Sequence, residues 1–219
     1  MPKLYIIDTC SEEQNEAVIQ LCRETFLPAL GEGIEENIKQ FQEQLANSHV
    51  LVATIEKKVV GFAAYDFVRD DPIYETDFVQ RQLYYARNRN LKDHLLGYLR
   101  GVQQEFGGEA FIEYFENDFT LTDRVKVCDE DVILTHLSVI SDARRMGIGQ
   151  ALTKARLRIA KKKGATAAYV NCWEAGAVHK LYEKLGFHSI IRAGPDYRDG
   201  SAGRMMGLLL PEVQKEIYT

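Results

Sequence analysis

The segment Leu137-Ser-Val-Ile-Ser-Asp-Ala-Arg-Arg-Met-Gly-Ile-Gly-Gln150 holds the residue types that a phosphate-binding turn needs. An apolar run that reads as a strand ends, a turn with two arginines comes next, and a helical pattern opens at Gly147 and Gly149. The first turn of a helix leaves N–H groups unpaired, and the helix dipole favours negative charge there. Glycine removes the Cβ that would hold a phosphate away from those groups. The backbone from Arg145 through Met146, Gly147, Ile148 and Gly149 to Gln150 can therefore cradle a pyrophosphate, with Arg144 and Arg145 adding charge-assisted donors.

Three phosphate-binding patterns compete for this segment. A P-loop needs Gly-Lys-Ser/Thr, whereas Gly149 is followed by Gln150-Ala151. The dinucleotide fingerprint needs Gly or Ala at 152, where Leu152 stands. The pattern Arg/Gln-x-x-Gly-x-Gly/Ala is met by Arg144, Gly147 and Gly149. The plainer alternative is a basic turn that only caps a helix. Some thirty residues downstream stands Leu181-Tyr-Glu-Lys-Leu-Gly-Phe187, which reads as a helix ended by a glycine cap before a strand.

The elements that must position these motifs alternate in type. Residues 4–7 suit a first strand, and Ser11-Glu-Glu-Gln14 forms a capping box for a helix over 12–28 that stops near Pro28. A second helical pattern over 31–47 places Ile34, Ile38, Phe41 and Leu45 on one face. Residues 49–55 and 59–68 read as a hairpin around Glu56-Lys-Lys58. A long helical pattern spans 78–106, with a point of interruption at 88–90 and an end at Gly107-Gly108; the aromatic-rich stretch after it, through Phe111, Tyr114, Phe115 and Phe119, carries no clear period. Residues 132–140 form a strand, and 147–163 a helix with Ile148, Ala151, Leu152, Ala155 and Ile159 on one face and Gly164 as its cap. Next come a strand at 166–172, a helix at 176–185, and strands at 187–191 and 203–210. No repeat or linker divides this order, so a single α/β (α+β) domain over 1–219 is expected.

Bulk composition narrows the function classes. Hydrophobic residues at 46% and charged residues at 27% are those of a globular chain, and a net charge of -5 gives no electrostatic reason to expect nucleic acid. An acidic surface around the site would instead draw a cationic substrate. Cys10, Cys22, Cys128 and Cys172 show no CxxC pair, which argues against a zinc site and for free thiols in a reducing compartment. The amino terminus turns polar too soon for a signal peptide, and no window approaches about 18 consecutive apolar residues. A cytoplasmic protein with no metal and no membrane partner is the expectation.

Leu137-x-Val139, Arg144-x-x-Gly-x-Gly149 and Leu181-Tyr-x-Lys-x-Gly-Phe187 together resemble the GCN5-related N-acetyltransferase (GNAT) superfamily, over residues 132–192 above all. The resemblance implies a mixed, mostly antiparallel sheet flanked by helices, with a helical insertion at about 69–128 between the third and fourth strands. It implies acetyl-CoA as co-substrate. Backbone groups of Leu137, Ser138 and Val139 would then pair with the pantetheine arm and polarise the thioester carbonyl. The N–H groups from Arg145 to Gln150 would hold the pyrophosphate. Tyr182 would be the general acid, a role that suits a phenol because its pKa lies above that of a thiol. An asparagine common in the family about six residues before the motif leucine is replaced here by Ala175, with Asn171 nearby.

The resemblance extends to the acceptor. The long aromatic insertion, Glu183 to His188, Asp196-Tyr197 and Met205-Met206 are similar to insect-type arylalkylamine N-acetyltransferases, which implies a small primary amine. The serines of that group are replaced by Trp173 and Ala177, and its Glu-Pro-Leu is not reproduced at Leu27-Pro28-Ala29. The histidine pair of the vertebrate enzymes falls on Ile133 and Thr135; His136 adjoins them, and alternation turns it to the opposite face unless a bulge intervenes. No base is assigned, although Glu32 and Glu35 border the acceptor side in the family. Lys161-Lys-Lys163 reads as a solvated run favoured at a helix C-terminus. A protein lysine or N-terminal acetyltransferase, and a non-catalytic acyl-CoA-binding module, remain the alternatives; the chain is expected as a monomer or homodimer.

Overall fold

Two short apolar runs separated by Glu56 and Lys57 fold back on each other because both turn residues adopt left-handed backbone, with φ of 50° and 66°. That twist matches the twist of paired strands. The resulting hairpin, β2 (His49–Ile55) and β3 (Lys58–Phe67), is seen in a computed structural model that describes residues 3–7, 12–30, 39, 42–43, 45–71, 78–106, 111–115, 126–173, 178–194 and 202–210. Around it lie β1 (Leu4–Ile7), α1 (Glu12–Leu30), α2 (Phe78–Ala86), α3 (Leu91–Phe106), β4 (Phe111–Tyr114), β5 (Val132–Val139), α4 (Ile148–Lys162), β6 (Ala167–Trp173), α5 (Val178–Lys184), β7 (His188–Gly194) and β8 (Gly203–Leu209). The strands form one sheet of eight in the order β1-β2-β3-β5-β6-β8-β7-β4. Every neighbouring pair is antiparallel except β5 with β6.

The sheet buries both faces. On one, Ile148, Leu152 and Ala160 of α4 and Tyr182 of α5 pack on Ala63, Tyr65, Val132, Leu134, Val170 and Met206. On the other, α1 covers Val52 and Phe62 with Val18, Leu21 and Cys22. Beside it, Val79 and Leu83 of α2 and Leu91 and Leu95 of α3 cover Ile133, Tyr169, Ile190 and Met205. These helices keep the helical period of their apolar residues, as the sequence pattern requires.

Three elements differ from expectation. α1 runs on to Leu30, past Pro28. The long pattern at 78–106 is two helices, broken where Asn88 takes φ of 64° and its N–H turns to the Val127 carbonyl at 2.7 Å. The aromatic stretch supplies an edge strand, β4, paired with β7, so the insertion between β3 and β5 is not purely helical. The capping residue Ser11 and most of the 31–47 pattern lie outside the described residues; Lys39, Gln42, Glu43 and Leu45 to Asn47 are helical.

Two irregularities in β5 open the sheet. Ala63 faces Leu137 and Tyr65 faces Leu134, so Thr135 and His136 together oppose Ala64 in a bulge. Beyond it, β5 and β6 part: they pair only from Val132 to Leu134, while β6 stays with β8 as far as Trp173. A wedge therefore opens between Thr135–Val139 and Asn171–Trp173.

Candidate active site

The wedge leaves one edge of β5 without a strand partner at Leu137, Ser138 and Val139, since β3 pairs only the other edge. Unpaired strand edges offer alternating N–H and C=O groups to an extended ligand. Ser138 is buried and shares a 2.6 Å hydrogen bond with Thr25 of α1, which pins this edge. On the opposite side Gly61 makes a close approach possible: a Cβ there would stand 2.8 Å from the Ser138 carbonyl oxygen.

At the end of β5 a single 3-10 turn, Ser141–Ala143, leads into the cradle. Arg145 has φ of 63° and Gly147 φ of 81°, and two left-handed residues so close turn successive N–H groups to one side. For arginine that conformation costs on the order of 1–2 kcal/mol, a strain typical of ligand sites. Gly147 is the N-cap of α4 and supplies no side-chain cap; the first intrahelical bond is Ala151 N–H to its carbonyl at 2.9 Å. The N–H groups of Ile148, Gly149 and Gln150 thus precede any helical acceptor. A Cβ at Gly147 would meet nothing within 4 Å, so glycine is needed there for its φ. A Cβ at Gly149 would touch Leu181 at 3.5 Å and Leu137 at 3.7 Å, filling the space between the wedge and α5. Arg144, Arg145, Met146 and Gln150 are exposed, and the Arg144 Nε donates to the Val139 carbonyl at 3.0 Å, using one of five N–H donors.

Leu181 to Phe187 is a helix stop that holds Tyr182 from behind. Phe187 N–H bonds the Tyr182 carbonyl and Gly186 N–H the Glu183 carbonyl, both at 3.0 Å, with Gly186 at φ of 90°. This is a Schellman motif, and its accompanying apolar contact is Tyr182 against Phe187, edge to face at 5.2 Å. The phenol is buried, and burial raises its pKa, with Arg156 pulling the other way. Its oxygen accepts from Arg156 Nη2 at 3.2 Å.

The uncapped helix and the open edge of β5 thus meet around Gly149, Leu137, Val139 and Leu181, and the buried Tyr182 follows Leu181 on α5. A family model for the acetyltransferase (GNAT) family matches residues 70–187, over half of the chain. The chain belongs to the GNAT acetyltransferase family. It shares the fold of the ribosomal-protein-S18-alanine N-acetyltransferase of Escherichia coli at 15% identity, with 99% of this chain and 100% of that chain covered and a TM-score of 0.56. The likeness to yncA of Salmonella typhimurium, solved with its cofactor acetyl-CoA, is 14% identity over 96% of each chain, TM-score 0.55. The likeness to the NatC complex bound to Gag peptide and CoA is 14% identity over 95% of this chain and 99% of that chain, TM-score 0.55. At such identities the likeness is one of fold. Sequence comparison with curated proteins brings up no match.

In this GNAT acetyltransferase Leu137, Val139 and Leu181 surround Gly149, Ser138 is tied to Thr25, and Tyr182 is buried against Arg156. His136 sits in the bulge, the condition that removes it from strict alternation, and burial together with Arg156 lowers its pKa to about 4, so the imidazole is neutral. Burial pushes the thiols of Cys22 and Cys172 up to about 12, which makes them inert. Ala175, Ala177, Glu32, Glu35, Asp196 and Tyr197 lie outside the described residues. Among the described residues no group of acidic, histidine or cysteine side chains could hold a metal ion, and no helix is long and apolar enough to cross a membrane.

Arg156 was not singled out by the sequence pattern. It is fully buried beneath the bulge, where Nη1 donates to the carbonyls of Ala64 at 2.9 Å and His136 at 3.1 Å. Nη2 donates to Thr153 Oγ1 at 3.0 Å, whose hydroxyl in turn donates to the Gly149 carbonyl at 2.9 Å. The signal was present: Ile148, Leu152, Arg156 and Ala160 form one buried stripe at a spacing of four.

Proposed function

We propose that this acetyltransferase moves the acetyl group of acetyl-CoA to the primary amine of a small molecule, by direct attack and with Tyr182 as general acid. The observation that carries the reading is the open β5 edge beside the uncapped start of α4, with Tyr182 one residue beyond Leu181, which flanks Gly149. Acetyl-CoA supplies an activated acetyl group as a thioester. The backbone at Leu137, Ser138 and Val139 would orient the pantetheine arm and polarise the thioester carbonyl. The N–H groups of Arg145, Met146, Gly147, Ile148, Gly149 and Gln150 would hold the pyrophosphate at the positive end of α4, with Arg144 closing the loop against Val139. As the nitrogen–carbon bond forms and the carbon–sulfur bond breaks, the sulfur takes the electron pair and Tyr182 protonates it. A phenol whose pKa is raised by burial stays protonated until that moment.

A small amine is favoured because α2 and α3 cover β5 at Ile133 and β6 at Tyr169, on the face that α1 also covers. This insertion leaves less of the sheet open to a peptide. Aromatic residues in it, Tyr84 and Tyr85 among them, support an arylalkylamine. A protein amino terminus is the second reading, since a ribosomal-protein-S18-alanine acetyltransferase and a peptide-bound complex share the fold. Incubation with acetyl-CoA and tryptamine, tyramine, spermidine or alanine-ended peptides, with thiol release as readout, separates the two. Turnover on an amine but on no peptide is the expected result. Thiol release no faster than hydrolysis on every acceptor overturns the assignment in favour of an acyl-CoA-binding module, and release on peptides alone moves it to a protein acetyltransferase. The cytoplasm is the compartment we assign, from the four cysteines and their lack of pairing motifs.

A further inference from the structure

The geometry points to Arg156 as the positioning residue that makes Tyr182 a usable acid, by donating to its phenol oxygen from inside the core and holding the β5 bulge with the same guanidinium. The inference rests on the reading of Tyr182 as general acid and deepens it. A phenol buried this fully is a poor proton donor by itself, because the phenolate it leaves is poorly solvated. Arg156 answers that difficulty. It is fully buried, and no carboxylate among the described residues forms an ion pair with it. Its hydrogen bonds go to two main-chain carbonyls, Thr153 and Tyr182. With an arginine N–H pointing at the phenol oxygen, the hydroxyl hydrogen has to point elsewhere, in the proposed reaction toward the thioester sulfur.

In the acetyl transfer the amine nitrogen bonds the carbonyl carbon and the carbon–sulfur bond breaks with its electron pair going to sulfur. The Tyr182 proton passes to that sulfur. The phenolate left behind is stabilised by Arg156 Nη2 until water returns a proton, while the amine's surplus proton leaves to solvent. Because Nη1 holds the carbonyls of Ala64 and His136, the same charge sets the register of β5 just before Leu137, where the thioester would lie.

The test is a double-mutant cycle on thiol release, with acetyl-CoA as donor and the most active of tryptamine, tyramine and spermidine as acceptor. Where no amine is turned over, an alanine-ended peptide serves as acceptor in the same cycle, and release no faster than hydrolysis on either overturns the proposed function and this inference with it. Arg156→Met is expected to lower kcat by roughly tenfold to a hundredfold in the native background and by less than about twofold in Tyr182→Phe, with KM for acetyl-CoA nearly constant. Arg156→Lys, which keeps the charge, is expected to restore most of kcat only where Tyr182 is present, and it carries the test if Arg156→Met does not fold. Equal losses in both backgrounds would mean that Arg156 only supports the fold, and no loss in either would overturn the inference too. If Tyr182→Phe alone leaves kcat unchanged, the general-acid reading falls instead.

Discussion

The two parts of the proposed site are built in opposite ways. At the start of α4 the cradle is exposed and works through main-chain N–H groups, so the side chains of Met146 and Gln150 matter little beside the backbone angles at Arg145 and Gly147. Under the middle of the same helix the network of Arg156, Thr153 and Tyr182 is buried, and its donors are side chains reaching other side chains and main-chain carbonyls. On the proposed reading the first end would hold a large, flexible, charged molecule, for which many weak donors in a fixed curve suffice. The second would serve one proton at one atom, where a displaced hydroxyl loses the reaction. Binding and chemistry are thereby separable by mutation.

The largest expected effect breaks the buried end. Tyr182→Phe should lower kcat by about 10²–10⁴-fold while acetyl-CoA affinity stays within about threefold, read by thiol release and calorimetry. The exposed end should give the mirror image. Gly147→Val forces a β-branched residue to φ of 81° and should weaken acetyl-CoA binding by about tenfold or more, with kcat at saturation changed far less. Two further changes sharpen the contrast by acting on the strand that joins the ends. His136 is neutral in the fold, with a pKa of about 4 against about 6.5 unfolded. As pH falls below about 6.5 the unfolded chain takes up a proton that the native one refuses, so stability should drop by about 2 kcal/mol between pH 6.5 and 5. His136→Asn should flatten that loss in urea midpoints measured across the window. Asp131, whose pKa burial raises, pushes the other way closer to its own carboxylate range. Gly61→Ala would drive a Cβ against the Ser138 carbonyl and should cost about 1–3 kcal/mol, with a severalfold loss of kcat as β5 shifts.

Legibility in the sequence divides along the same line. The cradle and the helix stop behind Tyr182 were readable because glycines at 147 and 186 mark backbone that other residues resist. The family resemblance and the mixed sheet came with those motifs. The bulge at Thr135 and His136 was not readable, since two residues opposing one is settled by pairing with Ala64, far away in the chain. Arg156 carries no apolar signal of its own, although its place between Leu152 and Ala160 puts it in the core. β4 stayed hidden for a different reason: four residues at a sheet edge are too few to show a period, and partner β7 decides their state. The interruption near Asn88 was visible as a weak point, and the bond to Val127 is what makes it a break.

One pairing of measurements bears most directly on the division between binding and chemistry: acetyl-CoA affinity and kcat for thiol release, determined side by side in Tyr182→Phe and Gly147→Val. The phenylalanine variant should bind acetyl-CoA normally and turn it over slowly, and the valine variant should bind poorly while keeping most of its turnover at saturation. A phenylalanine variant with native kcat, or a valine variant with native affinity, contradicts that division.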